Sequence, residues 1–249
     1  MENQHSHHHH HAHMDEHNAD GGVHASWEVN PTPIHTDEDT EIILVVRNED
    51  GSPSTKFALV HEKEMHMLLI SQNLSEFMHL HPEYIGEGKF KTVLQFTKGG
   101  KYKLYADFQP EGRGQQITTH TIEVEGSKGE EFEEKDFSAE KNVGSLRFQL
   151  GMEHTQSNKP AHMTFSVSDA NTGQLISELE PYLGSAGHVV IVSENQDEFL
   201  HVHPINEQST GPEVTYAVTF PKAGIYKVWG QFKYKGEIFT VPYLLRING

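Results

Sequence analysis

The chain has no cysteine among its 249 residues. That excludes disulfides, thiolate nucleophiles and thiolate metal sites such as zinc fingers and Cys-based copper centres. Basic residues are scarce: 19 Lys and Arg stand against 36 Asp and Glu, a formal net charge of -17 with histidines neutral. Such a surface repels a phosphate backbone, so no nucleic-acid partner is expected. It favours cations in a general way, as any solvated acidic surface does. No apolar run approaches the ~20 residues needed to span a bilayer, so no membrane span is expected. Hydrophobic content is 35%, enough for two modest cores. There is no phosphate loop, nucleophile motif or Ser-His-Asp arrangement, and hydrolase or kinase chemistry has no support. The start is polar and His-rich, without the apolar stretch of an export signal. A cytoplasmic location is expected as written, and an extracytoplasmic one if residue 1 is a mature terminus.

What the chain has instead is histidine, 20 in all. Six of them fall in a pattern that occurs twice. HMLLISQNLSEFMHLHP begins at His66 and HVVIVSENQDEFLHVHP at His188. Eight of the 17 positions are identical, including all three histidines, a Phe and a Pro. The triplets are His66, His79, His81 and His188, His201, His203, each with spacings of 13 and 2. Chance does not readily place that spacing in two places.

The duplication is wider than the motif. Gly51 and Gly173 close turn-like segments in the same register, and GKYKLYADF from Gly100 matches GIYKVWGQF from Gly224. The repeat is about 100 residues long, a domain rather than a solenoid unit. The expected organisation is a disordered His-rich tail over 1–22, a domain over 23–125, a charged linker over 126–143 and a second domain over 144–249. The tail, with HSHHHHHAHMDEH, reads either as an affinity tag or as a natural metal-collecting tract.

Both domains read as β. HMLLIS, FMHLH, KYKLYADF, ITTHTIEV, TYAVTF and IYKVWGQF show alternation or β-branched and aromatic enrichment, with turn formers between them. No long segment shows a capped 3.6-residue period. The expected fold is all-β: two tandem immunoglobulin-like antiparallel β-sandwich domains. If Ser71 faces Glu76 in a hairpin, opposed residue numbers sum to 147. His66 then lies opposite His81, and His79 opposite Leu68, diagonal to His66. All three imidazoles would project from one face, and a one-residue slip would send His66 to the other. Three imidazole nitrogens can hold copper, zinc or nickel at about 2.0–2.1 Å and leave a fourth position open. From the reference imidazole pKa near 6.5, metal occupancy is expected to fall between about pH 7 and 5.

The plainer alternative is that His-x-His-Pro at a strand end only bonds to loop backbone. Repetition of the intact triplet favours metal. Phe77 and Phe199 are expected in the core, and Pro82 and Pro204 to end strands. Candidates for a fourth ligand are Asp107, Gln231 at the matching position of the second copy, and His120. His61 precedes only the first triplet. Met65, Met67 and Met78 surround that triplet, where the second has Gly187, Val189 and Leu200. Met65 and Met67 share a face that excludes His66, so packing is their expected role. His24, His35, His154, His162 and Met163 are expected at the surface.

The GHVVIVSENQDEFLHVHP and FPKAGIYKVWGQF blocks, with HMLLISQNLSEFMHLHP and FTKGGKYKLYADF, resemble bacterial YtkA-like and CopC-like immunoglobulin-fold heavy-metal-binding proteins. The resemblance covers about a third of the chain. It implies a copper-handling protein for storage or delivery, with a metal-delivering or metal-receiving protein as partner. The resulting expectation is a non-catalytic protein for copper or zinc ions, with one three-histidine site per domain. Two alternatives stand beside it. One is a two-domain cupin-like metalloenzyme, for which the His after the second-motif glycine is missing and Glu83 and Glu87 are badly spaced. The other is a structural or interaction module whose histidines are incidental.

Overall fold

The structure is a computed structural model that describes residues 22–127 and 136–249. The tail and the middle of the charged linker lie outside those residues. Among the described residues two compact units are present, one of residues 22–127 and 136 with Pro181–Ser185, the other of Phe137–Glu180 with Ala186–Gly249. All the regular elements among the described residues are strands, so no helix is long and apolar enough to cross a membrane.

In the first unit the strands are β1 (Val23–Asn30), β2 (Ile34–His35), β3 (Asp39–Asn48), β4 (Met65–Ser71), β5 (Phe77–Leu80), β6 (Glu83–Gly86), β7 (Lys89–Gln95), β8 (Gly100–Phe108) and β9 (Gln116–Glu125). They form two sheets, ordered β1-β3-β7-β6 and β2-β9-β8-β4-β5. Every pairing is antiparallel except the short β2–β9 contact. Lettered as in an immunoglobulin sandwich, this is A-B-E-D on one sheet and G-F-C-C′ on the other. Alternation does the packing. Ile42, Leu44 and Val46 of β3 meet Met65, Met67 and Leu69 of β4 and Tyr102, Leu104 and Ala106 of β8 in one core.

The second unit contains β10 (Glu140–Val143), β11 (Leu146–Met152), β12 (Ala161–Asp169), β13 (His188–Ser193), β14 (Phe199–Val202), β15 (Glu213–Val218), β16 (Gly224–Tyr234) and β17 (Glu237–Ile247). Its sheets run β10-β11-β12-β15 and β14-β13-β16-β17. The second sheet is again C′-C-F-G. The core again takes one face of each strand, with Val189 and Ile191 of β13 beside Phe148, Phe165, Val228 and Phe232. One boundary differs from the sequence expectation. Residues 140–143 were assigned to the linker, but they form β10, which turns back onto β11 with Val143 opposite Leu146. The charged letters of EKNV hide a strand that is only half-buried, where alternation is weakly marked.

Both units carry the hydrogen bond that marks this sandwich at the start of strand F. The Tyr102 hydroxyl donates to the Lys98 carbonyl at 2.9 Å, and Tyr226 to Lys222 at 2.9 Å. Burial pushes the Tyr102 phenol up to about 12, which keeps it a neutral donor.

Candidate metal centres

The β4–β5 hairpin has the register the spacing required. Leu68 stands opposite His79 and Ile70 opposite Phe77, both pairs summing to 147. The copy in the second unit pairs Val190 with His201 and Val192 with Phe199, summing to 391. Continued one step past the strand ends, these registers set His66 against His81 and His188 against His203. Met67 and Leu69 point into the core, so His66, His79 and His81 share the opposite, outer face of the sheet.

The turn that sets this register is built from three of the other identical residues of the motif, a Ser, an Asn and a Glu. The Glu76 amide donates to the Ser71 hydroxyl at 2.9 Å, and that hydroxyl donates to Asn73 Oδ1 at 2.7 Å. Ser193 repeats both contacts with Glu198 and Asn195, at 2.9 and 2.7 Å. Leu74 and Gln196 sit at the same place in the two turns with φ of 59° and 60°. A side-chain lock of this kind removes the freedom that would let the hairpin slip by a residue and scatter the histidines.

The imidazoles converge. In the first unit the ring centroids of His66 and His79 are 5.3 Å apart, His66 and His81 5.1 Å, and His79 and His81 4.8 Å. In the second, the matching separations are 5.6, 5.1 and 4.8 Å. His66 Nδ1 lies 3.1 Å from His79 Nε2, and His188 Nδ1 lies 3.4 Å from His201 Nε2. Two nitrogens held at about 2.0–2.1 Å by one tetrahedral ion stand about 3.3 Å apart, so these pairs are already at chelating distance. One nitrogen from each ring of the first triad falls within 4.8 Å of the others. The first triad can therefore hold a metal ion, and the second repeats its ring separations. The plainer backbone-bonding alternative fails for His81, whose Nε2 is buried and has no hydrogen-bond partner. An orphaned buried nitrogen is costly in isolation and becomes a ligand once an ion is bound.

His66 is held from behind. Its Nε2 lies 2.9 Å from the Val60 carbonyl oxygen. An oxygen can only accept, so Nε2 carries the proton and Nδ1 keeps its lone pair towards the other rings. Val60 and Lys63 close a two-residue turn, and the two residues inside it, His61 and Glu62, both have positive φ, 49° and 64°. That turn brings the His61 ring edge-on to His66 at 6.3 Å. The sequence noted His61 only as preceding the triplet. A tight turn of non-glycine residues gives no sequence signal, which is why the neighbour relation was missed.

Burial keeps His66 and His81 of the first triad in the ligating form. Burial pushes the His66 imidazole below its usual value, with the Val60 bond and the Asp107 charge opposing. Burial, together with His79, His66 and Lys63, takes His81 down to about 3. Burial takes His61 to about 4. Imidazoles so placed are neutral at pH 7, the state a metal needs.

The remaining candidates separate cleanly. Asp107 lies directly across from His66 on β8, and Gln231 directly across from His188 on β16. Both are buried on the histidine face. Asp107 accepts from Gln115 Nε2 at both carboxylate oxygens, 2.6 and 2.7 Å, and Gln231 Nε2 donates to Thr240 Oγ1 at 3.2 Å. His120 is not at the centre. It pairs with the core residue Leu104 and stacks on Trp27 at 5.8 Å, on the inner side of the sheet. Met65 and Met67 are core, as their alternation required. Phe77 is half-buried and Phe199 fully buried, as expected of a core residue, but both lie outside the clusters between the sheets. They pair with Ile70 and Val192 on the histidine face, the same parity as the ligands, and Phe199 comes within 6.5 Å of His201.

A family model described as "Domain of unknown function (DUF8832)" matches the chain twice, over residues 17–126 and 141–249. No curated protein matches it. Among solved structures, a two-domain fibronectin type-III segment of chicken tenascin is 14% identical over 90% of this chain and 99% of that one, with a TM-score of 0.26. Domains A168–A170 of titin are 11% identical over 92% and 67%, with a TM-score of 0.26. The α2-macroglobulin of Escherichia coli is 13% identical over 92% and 22%, with a TM-score of 0.31. With scores this low, nothing about function passes from these proteins to this chain.

Proposed function

The chain belongs to the DUF8832 family, in two copies of its domain, and from the site geometry we propose that it is a non-catalytic transition-metal-binding protein with one three-histidine site in each domain. His66 Nδ1, His79 and His81 hold one ion, and His188 Nδ1, His201 and His203 hold the other. Copper or zinc fits the all-imidazole donor set, and the bound ion is cargo for storage or delivery to a receiving protein. The resemblance to YtkA-like and CopC-like copper proteins belongs to the same proposal.

The observation that carries it is the repeated spacing. Two separate stretches of chain, identical at fewer than half their motif positions, place three imidazoles with the same centroid distances to within 0.3 Å at the largest, 5.3 against 5.6 Å. Six of their eight identical residues are the ligands themselves and the Ser-Asn-Glu turn that aligns them. The test is elemental analysis of protein from which residues 1–22 have been removed, because eight histidines there would mask the folded sites, followed by competitive titration with copper and zinc. Binding of neither ion above micromolar affinity rejects the proposal.

A further inference from the structure

The two centres share ligands and turn but not charge. In the first unit a carboxylate, Asp107, sits directly opposite His66 on the neighbouring strand; in the second the same position is an amide, Gln231, opposite His188. Side chains directly opposed on antiparallel strands have Cβ atoms about 4.5–5.5 Å apart and share a face. Asp107 is 2% exposed and Gln231 6%, so neither charge nor dipole is diluted by bulk water. Asp107 is not one of the ligating group, which closes on the three imidazoles. Its two oxygens accept from the Gln115 amide, which fixes the carboxylate in place. Its field reaches both His66 and His61, and it favours positive charge on each. Lys63, an exposed cation, acts in the opposite sense and disfavours charge on His66 and His81. A buried anion screens poorly and outweighs an exposed cation at similar range.

Resting on the metal-binding reading above, we infer that the two centres are functionally unequal, with Asp107 acting as an outer-shell positioning and charge-compensating residue that makes the first centre the tighter one for divalent ions, so that it fills before the second. A dication gains twice the Coulomb energy of a monocation from a fixed carboxylate at a given distance. At the second centre the residue in the place of Asp107 is the uncharged amide of Gln231, which supplies no such Coulomb term. Outer-shell partners of metal ligands typically contribute 10- to 100-fold in affinity.

The test uses the full chain in single-centre form. His188→Ala with His201→Ala leaves only the first centre, and His66→Ala with His79→Ala leaves only the second. A chain carrying His79→Ala and His201→Ala together gives the background from the N-terminal histidines. Each is titrated with Zn²⁺ against a chromophoric chelator and with Cu⁺ under reducing conditions. The first centre is expected to bind Zn²⁺ more tightly than the second. Asp107→Asn should weaken Zn²⁺ at the first centre about 10- to 100-fold and Cu⁺ distinctly less. Asp107→Glu should restore part of the loss. Gln231→Glu, whose carboxylate can accept from Thr240, should raise Zn²⁺ affinity at the second centre, and it decides the matter if Asp107→Asn fails to fold. Equal Zn²⁺ affinities with no response to either charge change overturn the inference while leaving metal binding intact. So does an equal loss of Zn²⁺ and Cu⁺ in Asp107→Asn, which marks a structural role alone. Binding no better than background in both single-centre chains overturns the metal-binding reading, and this inference with it.

Discussion

The two domains solve the same geometric problem with different surroundings. The triads agree, yet the residue before the first histidine is Met65 in one domain and Gly187 in the other. Met65 lies opposite Phe108 and is part of the core. At Gly187 a Cβ would come within 2.7 Å of the Phe232 ring and 2.8 Å of the Gln231 carbonyl, because the aromatic ring has moved into the space a side chain would take. Gly230 is similarly hemmed in by Phe165 and Phe232, where the first domain has Ala106. What stays fixed across the pair is the hairpin register and its Ser-Asn-Glu lock; what varies is the packing beneath and the charge beside it. Ligand placement thus depends on the strand pairing, and core composition is free to drift so long as that pairing holds.

The largest effect should come from removing a ligand. His79→Ala or His81→Ala should abolish tight binding in the first domain and leave the second domain's ion, and His201→Ala or His203→Ala should do the reverse. A three-nitrogen chelate that loses one arm loses most of its affinity. Metal content by elemental analysis reads this directly, and apo stability should change by no more than about 1 kcal/mol, as for other partly exposed side chains outside a core. Loss of both ions from a substitution in one domain contradicts the independence of the two sites.

Swapping the packing residues should come next. Gly187→Met forces a side chain against Phe232 and should destabilise the second domain by about 1–3 kcal/mol. Met65→Gly opens a cavity in the first and should cost about 2–5 kcal/mol. Denaturant titration of each variant checks both, and a neutral Gly187→Met shows that Phe232 can step aside.

Acid sharpens the comparison further. The usual imidazole value of 6.5 led to an expected loss of metal between about pH 7 and 5. In the first domain, burial pushes His66 down and takes His81 to about 3. Protons therefore compete for His66 and His81 only below the usual imidazole range, and those two release few protons on binding at pH 7. The sign for stability follows from the same values. Unfolded histidines take up protons near pH 6.5 while the folded ones do not, so the apo first domain is unaffected above pH 6.5. It loses stability as pH falls from there towards about 3. Potentiometric titration and thermal unfolding across that range test both statements; a first site that empties with a midpoint at pH 6.5 refutes the burial argument.

The smallest effect is expected at His120. It stacks on Trp27 on the inner side of the sheet. His120→Ala should leave metal content unchanged and cost about 1 kcal/mol of stability, the scale of an aromatic contact. A drop in metal content would place it back among the ligands.

Much of the centre was legible because strand geometry is rigid. A 13-and-2 spacing of histidines has one register that puts all three on one face, and β4 and β5 adopt it. The same parity argument correctly sent Met65 and Met67 inward. It was not carried through for Phe77 and Phe199, whose spacing from His79 and His201 is also two and which share the ligand face. Apolar character was read as core, when a two-faced sheet has an apolar residue on either side. The Val60 carbonyl behind His66 and the Gln115 amide on Asp107 were not legible, because loop backbones carry no periodicity. β10 escaped because a half-exposed strand with Glu, Lys and Asn looks like a linker.

The central claim is that each hairpin holds one ion on its own three imidazoles. Elemental analysis of the chain without residues 1–22, loaded with Zn²⁺ or Cu²⁺ and desalted at pH 7, tests it most directly. Two ions per chain are predicted, falling to one in His79→Ala and to none when His201→Ala is added. A chain that comes through desalting empty, or that still holds two ions in the double variant, contradicts it.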